Sequence, residues 1–216
     1  MLKSILQKTV FATTSAVVIC ATATTNSAQA VQLHYDFTGS GGNRNSFEFT
    51  SHDVDVTVTA YSQFSPFIPA KVRQTRHGLG IKSSRFDTDP REIDGLGPDE
   101  SLLLDFAPKN VRLLSATFGR VGFNDEFSLF VDGDHLISRN IPGGNRRDKD
   151  TGTFNFERFS GTTGSQFKFT VTDFNDDYTL KKAVFQKVPE PASILGLFAV
   201  AGLATSGLKL KRKSIV

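Results

Sequence analysis

Six acidic side chains between residues 87 and 100 form the densest group of potential metal ligands in the chain. They occupy a Gly- and Pro-containing segment that is typical of a loop, and they are Asp87, Asp89, Glu92, Asp94, Asp99 and Glu100. Calcium prefers six to eight oxygen ligands, although this spacing does not form an EF-hand loop. The segment predicts a structural calcium site; the alternative is a solvated acidic loop that Arg85 and Arg91 partly neutralise.

Catalytic chemistry has less support from the residue types. A glycosidase needs two carboxylates at a fixed separation across a sugar cleft, and the chain has no Trp and only three Tyr to stack on a sugar. A serine hydrolase needs a His in contact with Ser and an acid. The four histidines are His34, His52, His77 and His135. Neither a Gly-x-Ser-x-Gly elbow nor a His-x-x-x-His zinc spacing accompanies them. We therefore expect a protein that is not an enzyme, with a secreted hydrolase acting on glycan as the alternative.

The acids near other turns have a simpler explanation than chemistry. Asp125 and Glu126, Asp132 and Asp134, and the acids of residues 173–177 each lie at the edge of an apolar run. Short Asp side chains hydrogen-bond to backbone amides in turns. We expect these residues to form turns.

The charge distribution argues against a nucleic-acid partner. The 216-residue chain has a net charge of +3, but residues 31–187 hold 19 Lys and Arg against 21 Asp and Glu, a net charge of −2. The positive excess therefore lies in the two ends. A domain near neutrality lacks the general attraction to phosphate backbones that dominates nucleic-acid affinity.

Residues 1–30 have the organisation of a secretory signal peptide. Lys3 and Lys8 precede an apolar run of small residues over 9–25, and Ala28 and Ala30 provide the small side chains that signal peptidase accepts. Cleavage after Ala30 is predicted. An uncleaved membrane anchor is the alternative, but the Thr- and Ala-rich run is short and weakly apolar for a span of about 20 residues.

The only cysteine, Cys20, lies within this signal. The exported domain would then have no disulfide and no thiol, so packing, or a metal, must stabilise it. A lipoprotein signal acylated at Cys20 is a further alternative. Such processing needs a small residue before the cysteine, and Ile19 stands there instead.

The C-terminal segment has three parts in a fixed order. Pro189, Glu190 and Pro191 come first, then 17 uncharged residues over 192–208, then a basic end over 209–213. As a helix the uncharged run is about 26 Å long, enough to cross most of a bilayer core. Basic residues beside a membrane span tend to stay cytoplasmic, which places the domain outside. The prolines keep the tripeptide extended and accessible to a protease.

This tail resembles the sorting signal of the PEP-CTERM proteins. The resemblance covers residues 188–216 and implies that Pro189, Glu190 and Pro191 are recognised by exosortase, a membrane transpeptidase that cuts there. It also implies an envelope or extracellular destination and an association with exopolysaccharide or biofilm matrix. A permanent single-pass anchor is the alternative.

The middle of the chain reads as an antiparallel β domain. Short apolar runs alternate between Gly, Pro, Asn and Asp clusters, and strands are predicted at 33–38, 47–49, 54–60, 102–106, 112–118, 126–131, 135–139, 153–159, 167–172 and 179–185. With no comparable helical pattern, the sequence favours a β-sandwich or jelly roll whose core contains many of the 20 Phe. Residues 39–45 and 142–151 are expected to be loops. The residues around 78–106 also resemble a region of exported sandwich domains that bear such tails.

Asp132 and Gly133 give the clearest local prediction. An Asp-Gly pair between apolar runs indicates a tight hairpin with positive φ, so residues 127–131 should pair with 135–138.

These features predict three segments. Residues 1–30 are a signal peptide with a signal helix, 31–187 a β-sandwich domain, and 188–216 a sorting tail with a transmembrane helix. The expected partners are signal peptidase and the export machinery, an exosortase-like transpeptidase, and exopolysaccharide. The membrane contacts the tail helix before processing, after which the protein resides at the cell surface, outer envelope or matrix. A purely structural or adhesive surface role is a further alternative.

Overall fold

The structure is a computed structural model that describes residues 30–62, 68–84, 87, 89–144, 150–171 and 173–188. These residues form fifteen strands: β1 Gln32–Asp36, β2 Gly42–Arg44, β3 Ser46–Ser51, β4 Val54–Ser62, β5 Ile68–Thr75, β6 Gly78–Lys82, β7 Ile93–Asp94, β8 Glu100–Asp105, β9 Val111–Val121, β10 Glu126–Val131, β11 Asp134–Asn140, β12 Asp150–Asn155, β13 Thr163–Gly164, β14 Gln166–Thr170 and β15 Asp177–Lys187. Within these ranges there is no helix. Accordingly, no described helix is of a length and apolarity to span a bilayer.

The strands pair antiparallel in one curled sheet with two halves, called here sheet I and sheet II. Sheet I has the order β2-β5-β6-β15-β9-β12, with β1 also paired to β15 and β13 to β9. Sheet II has the order β11-β10-β14-β8-β4, with β3 beside β4. Strand β5 connects the halves, because Ala70 pairs with β4 and Val72 pairs with β6. The mainly β, antiparallel fold predicted from the sequence is confirmed.

The alternating pattern places one face of each strand in a core between the two halves. Val54, Val56 and Val58 of β4 are fully buried. Aromatic rings bridge the halves: Phe106, after β8, lies 4.6 Å from Phe185 of β15 between ring centroids. Phe118 of β9 stacks on Phe127 of β10 at 5.0 Å. The abundance of Phe is therefore explained by packing, as the sequence indicated.

The predicted hairpin is confirmed. Strands β10 and β11 pair antiparallel with Val131 opposite Asp134, and Phe130 opposite His135. The two turn residues, Asp132 and Gly133, have φ values of 50° and 94°. Positive φ at both central positions is the geometry that an Asp-Gly turn supplies.

Several element boundaries differ from the sequence predictions. Strands β5 and β6 were not predicted, since charged residues interrupt β5 and glycines weaken the pattern of β6. The predicted loop over 39–45 contains β2, whose three residues are all exposed and so carry no apolar signal. The strand predicted at 153–159 instead spans Asp150–Asn155, which shortens the loop predicted at 142–151. Beyond it, Phe156 and Phe159 belong to a turn in which the Phe159 amide donates to the Phe156 carbonyl.

Candidate functional site

Three of the six predicted calcium ligands come together. Asp87, Asp94 and Glu100 each offer a carboxylate oxygen, and these oxygens lie within 4.8 Å of one another. This group is called the carboxylate cluster below. It lies where β7 meets the start of β8, with Asp87 contributed by the segment after β6.

Local hydrogen bonds position the cluster. The Asp94 amide donates to Glu100 Oε2 at 3.2 Å, and Asp94 Oδ1 accepts from the Leu96 amide at 3.0 Å. Asp87 Oδ2 accepts from the Ser83 amide at 3.0 Å. The other oxygen of Asp87, Oδ1, is buried and accepts no hydrogen bond from any described residue. That oxygen retains its full capacity to accept a cation or a proton.

Burial makes the cluster electrostatically unusual. Glu100 is 1% exposed and Asp94 is 7% exposed. Burial, reinforced by Asp94, raises the pKa of Glu100 to about 8. Burial, reinforced by Asp87, raises the pKa of Asp94 to about 7. Adjacent buried carboxylates require either a proton or a cation to offset their charge. The all-oxygen donor set suits a hard cation such as calcium rather than zinc.

The other three predicted ligands have different surroundings. Glu92 is buried and forms an ion pair with Arg120, and Asp89 Oδ2 lies 3.8 Å from Arg120 Nη2. Asp99 is exposed. Three of the six acids thus form the carboxylate cluster, two lie beside Arg120 of β9, and Asp99 is exposed. Metal binding itself stays a prediction.

Of the acids expected in turns, Asp132 and Asp176 accept hydrogen bonds from backbone amides, whereas Glu126, Asp134 and Asp177 begin strands. Asp132 Oδ1 accepts from the amides of Ser165 and Gln166. Asp176 Oδ1 accepts from the Glu126 amide at 3.0 Å, and its Oδ2 accepts from the Asp173 amide at 2.6 Å. These carboxylates join neighbouring loops.

A concave surface lies on the outer face of sheet II and is called here the aromatic pocket. Its cavity volume is about 330 Å³, and its lining residues are Tyr61, Leu103, Phe130, Gly133, Gln166 and Lys168. Strand alternation places these side chains outside: Leu103 points away from the buried Leu102 and Leu104, and Lys168 lies between the buried Phe167 and Phe169.

The polar groups of the aromatic pocket are held in place. Lys168 Nζ lies 4.0 Å from the centroid of the Phe130 ring, and burial lowers the pKa of Lys168. The edge of His135 contacts the same ring, with centroids 5.0 Å apart. Gln166 Nε2 donates to Asp105 Oδ2 at 3.1 Å. A cation–π contact of this kind orders both the ring and the ammonium group.

Sequence reasoning missed this pocket. A signal was present, because strict alternation fails in Leu102-Leu103-Leu104 and in Leu129-Phe130-Val131, where an apolar side chain must face outward. Such a residue marks apolar surface on the solvent side of a strand. What the sequence could not show is that Leu103 of β8 and Phe130 of β10 meet Tyr61 of β4 and the polar side chains of β14 at one place.

The processing residues lie mostly outside the described part of the chain. Pro189, Glu190, Pro191 and Ala28 are not among the described residues, nor are the signal segment and the apolar tail. Ala30 is the first described residue and precedes β1. Signal cleavage and sorting therefore stay predictions.

Comparison with known proteins does not assign the chain to a family. No protein-family model matches the chain. No curated protein matches it either. Among solved structures, one similarity is to CpGH89CBM32-5 from Clostridium perfringens, in complex with GalNAc-β-1,3-galactose, at 14% identity and a TM-score of 0.27, over 62% of this chain and 95% of that one. Another is to the GH31 α-xylosidase from Xanthomonas citri, at 9% identity and a TM-score of 0.16, over 76% of this chain and 20% of that one. Structural similarity at this level carries no argument about the present chain.

Proposed function

We propose that this chain is an exported, non-enzymatic β-sandwich of jelly-roll type that binds a glycan in the aromatic pocket. The observation that carries the proposal is the pocket itself. Two aromatic residues, Tyr61 and Phe130, line a concavity that also contains the amide of Gln166 and the ammonium group of Lys168.

This combination suits a sugar. The C–H faces of a sugar ring pack on apolar and aromatic surface, while its hydroxyls need a few fixed donors and acceptors. The volume of about 330 Å³ is at the lower end of the range for small-ligand sites. That size fits one or two sugar units of a longer polymer.

The positions of the described carboxylates argue against hydrolysis of a sugar bound in the aromatic pocket. A glycosidase needs an acid and a second carboxylate facing the scissile bond. None of the described residues that line the aromatic pocket is acidic. The neighbouring carboxylates of Asp94 and Glu100 are almost fully buried and so offer no surface on which a sugar could lie. Binding without turnover is the function that this arrangement supports.

Export and sorting are part of the same proposal. Signal peptidase cuts after Ala30, an exosortase-like transpeptidase recognises Pro189, Glu190 and Pro191, and the released domain joins the surface or the exopolysaccharide matrix. One contact supports this scheme: the Lys187 amide donates to the Val31 carbonyl at 2.9 Å, so cuts just outside these residues leave the paired ends intact. Intact-mass measurement with and without the transpeptidase tests it, and an unchanged full-length C-terminus in both cells would refute it.

We also propose a structural calcium ion at the carboxylate cluster. Asp87, Asp94 and Glu100 would hold it, and the ion would neutralise their buried charge. Its role is stability rather than catalysis.

Glycan binding is tested by retention of the full-length chain, kept in mild detergent, on immobilised neutral polysaccharides. Tyr61→Ala should weaken retention at least tenfold. Phe123→Ala and Phe174→Ala are matched controls, because these rings are 65% and 75% exposed and do not line the pocket. Equal retention of Tyr61→Ala and the parent would refute the assignment, release of sugar product would favour the hydrolase, and no retention on any polysaccharide would favour a purely structural or adhesive role.

A further inference from the structure

A second concavity, on sheet I, is lined mainly by cationic side chains. Its cavity volume is about 280 Å³, and the lining residues are Arg73, Thr75, Arg76, His77, Arg91 and Arg120. This site is called here the arginine pocket. Four separate parts of the chain supply it: β5, the β5–β6 turn, the segment before β7, and β9. Arg73 and Arg76 are close in sequence, but Arg91 and Arg120 come from distant parts of the chain, so the fold brings the four charges together.

Among the described residues, Arg120 is the one arginine of this pocket that forms ion pairs with carboxylates. Arg120 forms the ion pair with the buried Glu92, and Asp89 lies 3.8 Å away on its other side. Over the part of the chain that the structure describes, no ion pair joins Arg73, Arg76 or Arg91 to a carboxylate. Four guanidinium groups against the carboxylates of Glu92 and Asp89 leave the pocket an excess of about two positive charges.

Backbone geometry fixes the wall of the pocket. Arg120 has a φ of 57°, a left-handed conformation that is unfavourable for a residue with a Cβ. Its ion pair with Glu92 holds the guanidinium group in place. Such conformations cluster at binding and catalytic sites.

His77 is hydrogen-bonded to one of the arginines of the pocket. Arg76 Nε donates to His77 Nε2 at 3.0 Å, so the imidazole is neutral and carries its proton on Nδ1. Burial is the largest cause that lowers the pKa of His77. The positive charges of Arg76, Arg120, Lys181 and Arg91 lower it further. The histidine thus positions Arg76 without adding a charge of its own, and the direction of its shift reflects the positive potential around it.

We propose that the arginine pocket binds the carboxylate groups of an acidic polysaccharide. The inference deepens the proposed function, on which its choice of a glycan rests. A guanidinium group presents a planar fork of donors that matches a carboxylate with two parallel hydrogen bonds. The cavity has room for about one uronate unit, and neighbouring units of the polymer would extend along sheet I.

The test uses the full-length chain in mild detergent with polygalacturonate as the probe and neutral dextran as the comparison. Arg73→Gln/Arg91→Gln should weaken polygalacturonate binding at least tenfold and flatten its dependence on salt. Arg139→Gln/Arg158→Gln, which removes the same charge from exposed positions outside the strands of sheet I, should change it less than threefold. Arg91→Gln alone, at an exposed position, gives a second reading if the double variant does not fold.

Three results would overturn the proposal. They are unchanged affinity in the arginine variants, an equal loss in the control variant, and binding of inorganic sulfate or phosphate as tight as that of galacturonate. This test is separate from the test of sugar binding in the aromatic pocket, because Tyr61→Ala should leave the salt-dependent binding of polygalacturonate in place. Loss only in Tyr61→Ala would assign acidic glycan to sheet II instead.

Discussion

Calcium should stabilise this protein strongly at alkaline pH and weakly at acidic pH. The reason is the carboxylate cluster, where burial raises the pKa of Asp94 to about 7 and that of Glu100 to about 8. Below about pH 4 both groups are protonated in the folded and the unfolded chain, so they contribute no difference. Between about pH 4 and pH 8 the unfolded chain releases protons that the folded chain retains, and the free energy of unfolding falls.

The size of this effect follows from the shift. For Asp94 the pKa rises from 3.8 to about 7, which costs on the order of 4 kcal/mol at 1.36 kcal/mol per pH unit. Glu100 adds less than a second such amount, because the two groups share their repulsion. About 2.7 kcal/mol of the Asp94 cost falls between pH 5 and pH 7. For a domain of this size 1 kcal/mol corresponds to roughly 2–4 °C in Tm, so calcium-free protein should melt at least about 5 °C lower at pH 8 than at pH 5.

Calcium should reverse this loss. An ion present at 100 times its Kd stabilises the folded state by about 2.7 kcal/mol, or roughly 5–10 °C. Binding requires the deprotonated carboxylates, so the gain should be large at pH 8 and small at pH 5. Thermal unfolding of the full-length chain, with calcium or with a chelator at each pH, measures both effects.

Glu100→Gln separates the cluster from other titrating groups. This variant should melt higher than the parent in chelator at pH 8, because one buried charge is gone, and it should no longer respond to calcium. Asp99→Asn is the matched control, since that residue is exposed and lies beside the cluster in sequence. A parent Tm at pH 8 that is the same in calcium and in chelator would refute the metal site. A calcium-free Tm that does not fall between pH 5 and pH 8 would refute the electrostatic reasoning as well.

Two packing predictions accompany this one, each measured by chemical denaturation. A Cβ on Gly80 would overlap the Arg91 carbonyl, so Gly80→Ala should destabilise the fold by about 2–3 kcal/mol. The control is Gly97→Ala, which should cost only about 1 kcal/mol because Gly97 has a φ of 114° but open space around it. Equal losses of stability in the two variants would contradict the overlap at Gly80. Asp176→Ala removes a buried carboxylate that accepts hydrogen bonds from the amides of Glu126 and Asp173, and it should cost about 3 kcal/mol. A change under about 0.5 kcal/mol would show that the loops do not depend on this carboxylate.

Local patterns carried most of the fold prediction. The Asp132-Gly133 turn and the alternation of Val54, Val56 and Val58 depend on neighbours in sequence, and both appear in the structure as expected. Strand β5 was missed because its role is not local. Its first residues pair with β4 and its last with β6, so its residues serve two sheet halves and show no single apolar face.

The sites depended on contacts that sequence spacing does not contain. Asp87, Asp94 and Glu100 meet only because β7 and β8 approach the end of β6. Glu92, two residues before Asp94, instead forms an ion pair with Arg120 of β9, which is 28 positions later in the chain. Both pockets are formed by strands that pair over long separations. Residue types indicated that calcium chemistry was available, but tertiary pairing decided which acids could take part.

The pairing of β15 has a mechanical consequence. The tail continues directly from its last residue, Lys187, so a pulling force on the tail enters β15 along the strand axis. That strand is hydrogen-bonded on one side to β9 from Thr179 to Lys187, and on the other to β1 from Lys182 to Gln186. A load in this direction shears both ladders at once instead of opening them bond by bond. The domain is therefore expected to resist extension from its C-terminal end.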